Sequence, residues 1–216
     1  MPYVGLIPFI VSMVISLGAQ LWVSLSFWRY NRVLSSAGQT GFSTARRLLD
    51  GNGLSGIVVE QVKGRLSELT YGSSSVAAVG VAAHETGHAI QHRDGYLPNK
   101  IRSALLVPAN IGSMAGPYVA GLGFVLDGFL SDLLIQAGMA LFAAAVLFYL
   151  ITLPVEINAS HRALNLLEET DILASHEMKG VRRVLRAAAL TYIASAMISV
   201  FYFFRLSYMA GSRRHG

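Results

Sequence analysis

A chain of 216 residues is long enough for one domain. With 53% hydrophobic and only 13% charged residues, and a mean hydropathy of +0.50, it departs from a soluble globular protein toward a membrane protein. The absence of cysteine excludes disulfides and thiolate ligands, and the net charge of +5 lies beside apolar spans, so it reads as juxtamembrane charge and not as a nucleic-acid surface.

In chain order, residues 1–28 carry no charge. They exceed the ~20 apolar residues that a bilayer crossing needs. No Lys or Arg precedes the run, and it is longer than a signal core, so a retained span over about residues 4–27 is expected. Residues 40–50 read as a short helix, capped by Thr40 or Ser43 and ended by Gly51 or Gly53. Residues 57–62 (Ile-Val-Val-Glu-Gln-Val) read as a strand between Gly56 and Gly64, with residues 65–69 as a partner strand. Residues 76–90 form an apolar helix. A turn at residues 95–98 leads to a second span, about 104–126, in which Gly112 and Gly116 form a G-x-x-x-G suited to close helix packing. A third span covers about 133–153 and a fourth about 187–207. No internal repeat or low-complexity tract is present.

Lys and Arg set an orientation. Residues 29–102 carry nine and residues 156–186 carry five, while the turn at 127–132 carries none. By the positive-inside rule both basic segments face the cytoplasm; Arg205, Arg213 and Arg214 at the far end run against it.

The residues that carry chemistry lie in the 76–90 helix: His84-Glu85-Thr86-Gly87-His88, an H-E-x-x-H. A helix turns about 100° per residue, so the two histidines lie about 40° apart on one face and about 6 Å apart along the axis. Their imidazoles can reach one metal ion, and Glu85 can hold a water beside it as general base. The surroundings are too apolar for a solvated helix face, and buried histidines need partners, which one ion would supply.

A catalytic zinc usually has a third protein ligand. His92 shares the face but lies about 12 Å along the axis from His84, so it reads as a packing residue or a support to the site. Asp94 stands where a third histidine would follow in a related motif. Glu156, just after Pro154, is better placed. Its neighbours Ala159, Ser160 and Ala163 share its face and are small enough to let that face approach the motif helix. From position alone, Glu156 could equally start a helix, where the dipole favours a carboxylate.

The chain resembles the YugP-like neutral zinc metallopeptidases of bacterial membranes. The resemblance rests on Ala45-Arg46-Arg47-Leu48-Leu49-Asp50 with Asn52-Gly53-Leu54, on residues 76–85, and on Gly87-His88-Ala89-Ile90-Gln91-His92. It extends through Arg102-Ser103-Ala104-Leu105, Thr152-Leu153-Pro154-Val155-Glu156 with Ala159-Ser160, and Val184-Leu185 with residues 187–192. It implies a membrane-embedded zinc endopeptidase with Glu156 as third ligand. Two departures stand out. Members of that family carry a longer stretch after the Gly-Arg-Leu seen here at residues 64–66, including a further strand of the kind that pairs with substrate backbone. Asn158 stands where they carry an acidic residue.

The expectation is therefore a mainly α, integral membrane protein of about four transmembrane helices, with a small cytoplasmic zincin-like helical and β-hairpin region, forming a single domain over residues 1–216. It would sit in the bacterial cytoplasmic membrane with its active site facing the cytoplasm. One Zn²⁺ held by His84, His88 and Glu156 would serve peptide hydrolysis with Glu85 as base. His92, Ser160, His161 and Arg162 are candidates for supporting the ligands or the developing oxyanion. The partners would be a peptide or membrane-protein substrate and the lipid bilayer, with no nucleic acid. Two alternatives remain: a site-2-type intramembrane protease using Leu126-Asp127-Gly128, with Asp127 as third ligand, and a zinc-stabilised scaffold without catalysis.

Overall fold

The structure is a computed structural model that describes residues 6–214. Seven helices account for nearly all of them: α1 (Leu6–Tyr30), α2 (Gly41–Gly51), α3 (Arg65–Thr70), α4 (Val76–Arg93), α5 (Leu97–Val125), α6 (Phe129–Glu169) and α7 (Ser175–Arg214). Four of these, α1, α5, α6 and α7, are long and apolar enough to cross a membrane. The first residues of the expected 4–27 span lie outside the described residues. At 1.5 Å per residue the 41-residue α6 is about 60 Å long, twice the ~30 Å hydrocarbon core, so only part of it can span.

Chain contacts divide these helices into two compact units. One is built mainly from Leu97–Pro154, with one end each of α1 and α7. In it α5 and α6 pack through glycine. A Cβ at Gly116 would meet the Gly138 carbonyl and Phe142 at 2.9 Å, and Gly112 lies directly against the Leu141 carbonyl. The G-x-x-x-G thus serves packing within the chain. Ala109, Phe142, Ala145 and Val146 form the core of this unit.

The other unit comprises Gly18–Tyr96 and Val155–Thr191. Its core is Leu48, Val76, Val79, Ala83, Ala163, Leu167, Ile172 and Val181 with their neighbours. Helix α2 starts where Thr40 Oγ1 accepts from Ser43 N at 3.1 Å. It ends in a Schellman arrangement in which Gly53, at φ +72°, donates to Asp50 O and Leu54 N donates to Leu49 O. Helix α4 is built the same way. Ser75 Oγ caps Ala78 N at 3.1 Å, and Gly95, at φ +64°, closes the other end with Tyr96 N on Gln91 O.

The expected hairpin does not form. Residues 65–70 are helix α3, and residues 58–62 have no regular structure. A β-prone run needs a partner strand. Here Leu66 and Leu69 have helical spacing, and Glu68 sits in the first turn where the dipole favours it. Among the described residues the β content is one isolated bridge, Leu34 with Ser75.

Glu156 does not begin a helix, because α6 runs unbroken through Pro154 to Glu169. The reading of Glu156 as a dipole-stabilised helix start therefore falls.

Candidate metal centre

Helix α4 carries His84 and His88 one turn apart, and α6 carries Glu156, Ala159, Ser160 and Ala163 on one stripe. The two stripes meet because both are small at the contact. A Cβ on Gly87 would lie 2.5 Å from the Ala159 carbonyl, and Ala159 and Ala163 are fully buried. Glycine within the H-E-x-x-H is thus what lets α6 come close enough to deliver a carboxylate.

Glu156, 3% exposed, points Oε2 at both imidazoles, 3.2 Å from His84 Nε2 and 3.5 Å from His88 Nε2. The rings stand edge to face with centroids 4.7 Å apart. One ligand atom from each of the three residues lies within 4.8 Å of the others. Donors about 2.0–2.1 Å from a tetrahedral zinc are about 3.3–3.4 Å apart, close to the two separations seen.

The hydrogen bonds behind the site fix one imidazole. Gln91 is fully buried, and its Nε2 donates to Val155 O at 2.8 Å and to Asn158 Oδ1 at 3.0 Å. Its Oε1 is left to accept from His88 Nδ1 at 3.0 Å. With Nδ1 donating, neutral His88 turns a lone pair on Nε2 toward the Glu156 carboxylate. Two acceptors so placed repel each other unless a cation or a proton lies between them. His88 registers this. Burial pushes its pKa down, but the hydrogen bond and charge of Glu156, together with Gln91 and Glu85, raise it above the ordinary 6.5. The donor set, two imidazole nitrogens and a carboxylate oxygen without sulfur, fits zinc or another divalent ion.

Ser160 Oγ lies 3.2 Å from His84 Nδ1, where the expected supporting residue would act. Arg162 is turned to other partners, with Nε on Asn158 Oδ1 at 2.9 Å and Nη1 on Asp94 Oδ2 at 2.7 Å. Hydrogen bonds from Arg162 and Arg93 hold the Asp94 carboxyl below its usual value. His92 and His161 are exposed and lie outside the three-residue cluster. Asp127 belongs to the other unit.

The hydrogen bonds that join Gln91 to His88 and to Asn158 are not apparent from sequence. The available signal is spacing: Gln91 is three residues after His88 and Asn158 two after Glu156. What Gln91 does depends on α6, which the spacing does not reveal.

Glu85 is exposed at the edge of this arrangement. About 100° around α4 from His84, it lines a cleft of about 670 Å³ together with Val81, Ala82, Thr86 and Ala89 of the same helix.

The family described as "Putative neutral zinc metallopeptidase" matches residues 5–211. A relative from Bacillus subtilis (strain 168), described as "Putative membrane protease YugP", is 42% identical over 209 residues, covering 91% of this chain and 92% of its own. No solved structure matches the chain.

Proposed function

This chain belongs to the family described as "Putative neutral zinc metallopeptidase", and from that premise we propose that it is a membrane-bound, zinc-dependent endopeptidase. The observation that carries the reading is the convergence of His84 Nε2, His88 Nε2 and Glu156 Oε2 on one point. These three residues would hold one Zn²⁺. When bound, the ion supplies Lewis acidity toward a carbonyl oxygen and lowers the pKa of water toward about 7.

The chain's own groups do the rest. Glu85, exposed beside the ligands and lining the cleft, takes the proton of the attacking water and returns it to the departing amine. Gln91 holds His88 through Nδ1 with Nε2 free for the ion, and Ser160 does the same for His84. The Arg162 to Asp94 bridge joins the last turn of α4 to α6 and keeps both sides of the site in register. The distribution of Lys and Arg supports a site facing the cytoplasm, in a bacterial cytoplasmic membrane. The substrates are peptides or membrane proteins.

Glu85→Gln tests the roles. The variant retains zinc by elemental analysis and loses about 10²–10⁴-fold in peptide hydrolysis. Full hydrolysis in that variant removes Glu85 from the mechanism.

A further inference from the structure

The cleft beside Glu85 is lined largely by carbon. Its walls include Leu49, Val59, Leu66 and Tyr71, and its floor is the small-residue stripe of α4. At about 670 Å³ it lies in the size range of ligand sites and is larger than one side chain requires. One wall is the irregular segment 57–62. That segment is pinned at its ends, where Arg46 Nη1 donates to Ile57 O at 2.6 Å and Val62 N donates to Ser67 Oγ at 3.1 Å. Between the pins, among the described residues, the backbone groups of residues 58–61 make no hydrogen bond. Val59 is half-buried and Val58 and Glu60 are exposed, and all three line the cleft. A row of unused donors and acceptors beside an apolar trough is a template for another chain.

Resting on the hydrolase reading above, we infer that this cleft takes an extended peptide segment. The backbone of residues 58–61 pairs with it, and the trough holds several of its side chains, a large apolar one next to the bond being cut. The occupant follows from the position of Glu85. The carboxylate assigned to proton transfer is itself a lining residue, whereas His84, His88 and Glu156 are not, so the cleft flanks the site on the Glu85 side and a segment lying along it passes that carboxylate. An unfolded or locally melted apolar segment offers both the free backbone and the apolar side chains that this cleft can take.

The test uses the full chain in lipid nanodiscs as the Glu85→Gln variant, so that binding is read without cleavage. Fluorescent decapeptides carry Leu, Phe, Asp or Lys at the central position, and a second Leu peptide is N-methylated at alternate residues. Empty nanodiscs serve as the control. The Leu and Phe peptides bind about tenfold or more tightly than the Asp peptide, and N-methylation weakens binding by a similar factor. Val59→Asp reduces the preference for Leu and favours a Lys peptide. Equal affinities across the set overturn the inference. It also falls if the peptides partition no better than into empty nanodiscs while Val58→Trp fluorescence is quenched by brominated lipid, which assigns the segment to the bilayer. Binding requires neither zinc nor hydrolysis. A zinc-free protein that still discriminates sinks the hydrolase reading alone, and a hydrolysing protein that does not discriminate sinks this one alone.

Discussion

In the unit built from Leu97–Pro154, glycines bring α5 and α6 together, and what meets there is carbonyl oxygen, small residues and the flank of Phe142. In the unit built from Gly18–Tyr96 and Val155–Thr191, Gly87 performs the same service for α4 and α6, but a buried carboxylate, a buried amide and two imidazoles arrive with it. The comparison separates packing from chemistry. Close approach alone gives a tight helix pair. Close approach with polar groups that satisfy one another, apart from one acceptor cluster, gives a candidate ion site.

Three perturbations sharpen that contrast. The largest effect is expected from Gln91→Leu, which keeps the volume but strips His88 Nδ1 of its acceptor and Val155 O of its donor. Zinc affinity measured by competition with a chelator falls about 10–100-fold, and an unchanged affinity shows that His88 needs no such support. Next is a matched pair of glycine substitutions. Gly87→Ala and Gly116→Ala each force apart a backbone contact, at 2.5 Å and 2.9 Å respectively. Each costs about 1–3 kcal/mol of stability in thermal melts, but only Gly87→Ala also weakens zinc binding. Equal effects of the two on zinc would erase the distinction between the units.

The smallest effect belongs to Asp94. Its carboxyl is held below the ordinary 3.8 by Arg162 and Arg93, so its contribution to stability is present above that value and is lost as the pH falls through the lowered one. Melts of wild type and Asp94→Asn therefore differ slightly at pH ~6 and converge in acid. A gap that widens in acid contradicts the sign.

Much of this architecture is legible in the residues. Four apolar runs mark the long helices, Thr40 and Gly53 bracket α2 as their chemistry requires, and the small residues after Glu156 predict the face that meets α4. The hairpin misreads the chain because Ile-Val-Val-Glu-Gln-Val has β-propensity but no partner strand, and propensity without a partner leaves an open edge. Pro154 likewise suggests a helix start, yet α6 passes through it. Tertiary packing outweighs one lost backbone donor. His84, Glu85 and His88 are visible as a spacing, and Glu156 through the family resemblance. Gln91 is invisible because a glutamine has no motif, and its role appears only when Val155 O and Asn158 come within reach.

The central claim is that one divalent ion is clasped by two imidazoles of α4 and one carboxylate of α6. Elemental analysis of the purified wild type beside Glu156→Gln measures it directly. The expected result is about one equivalent of zinc in wild type and a loss of at least ~10-fold in affinity in the variant. Wild-type protein without a bound ion, or a Glu156→Gln variant that binds zinc as tightly as wild type, contradicts the account.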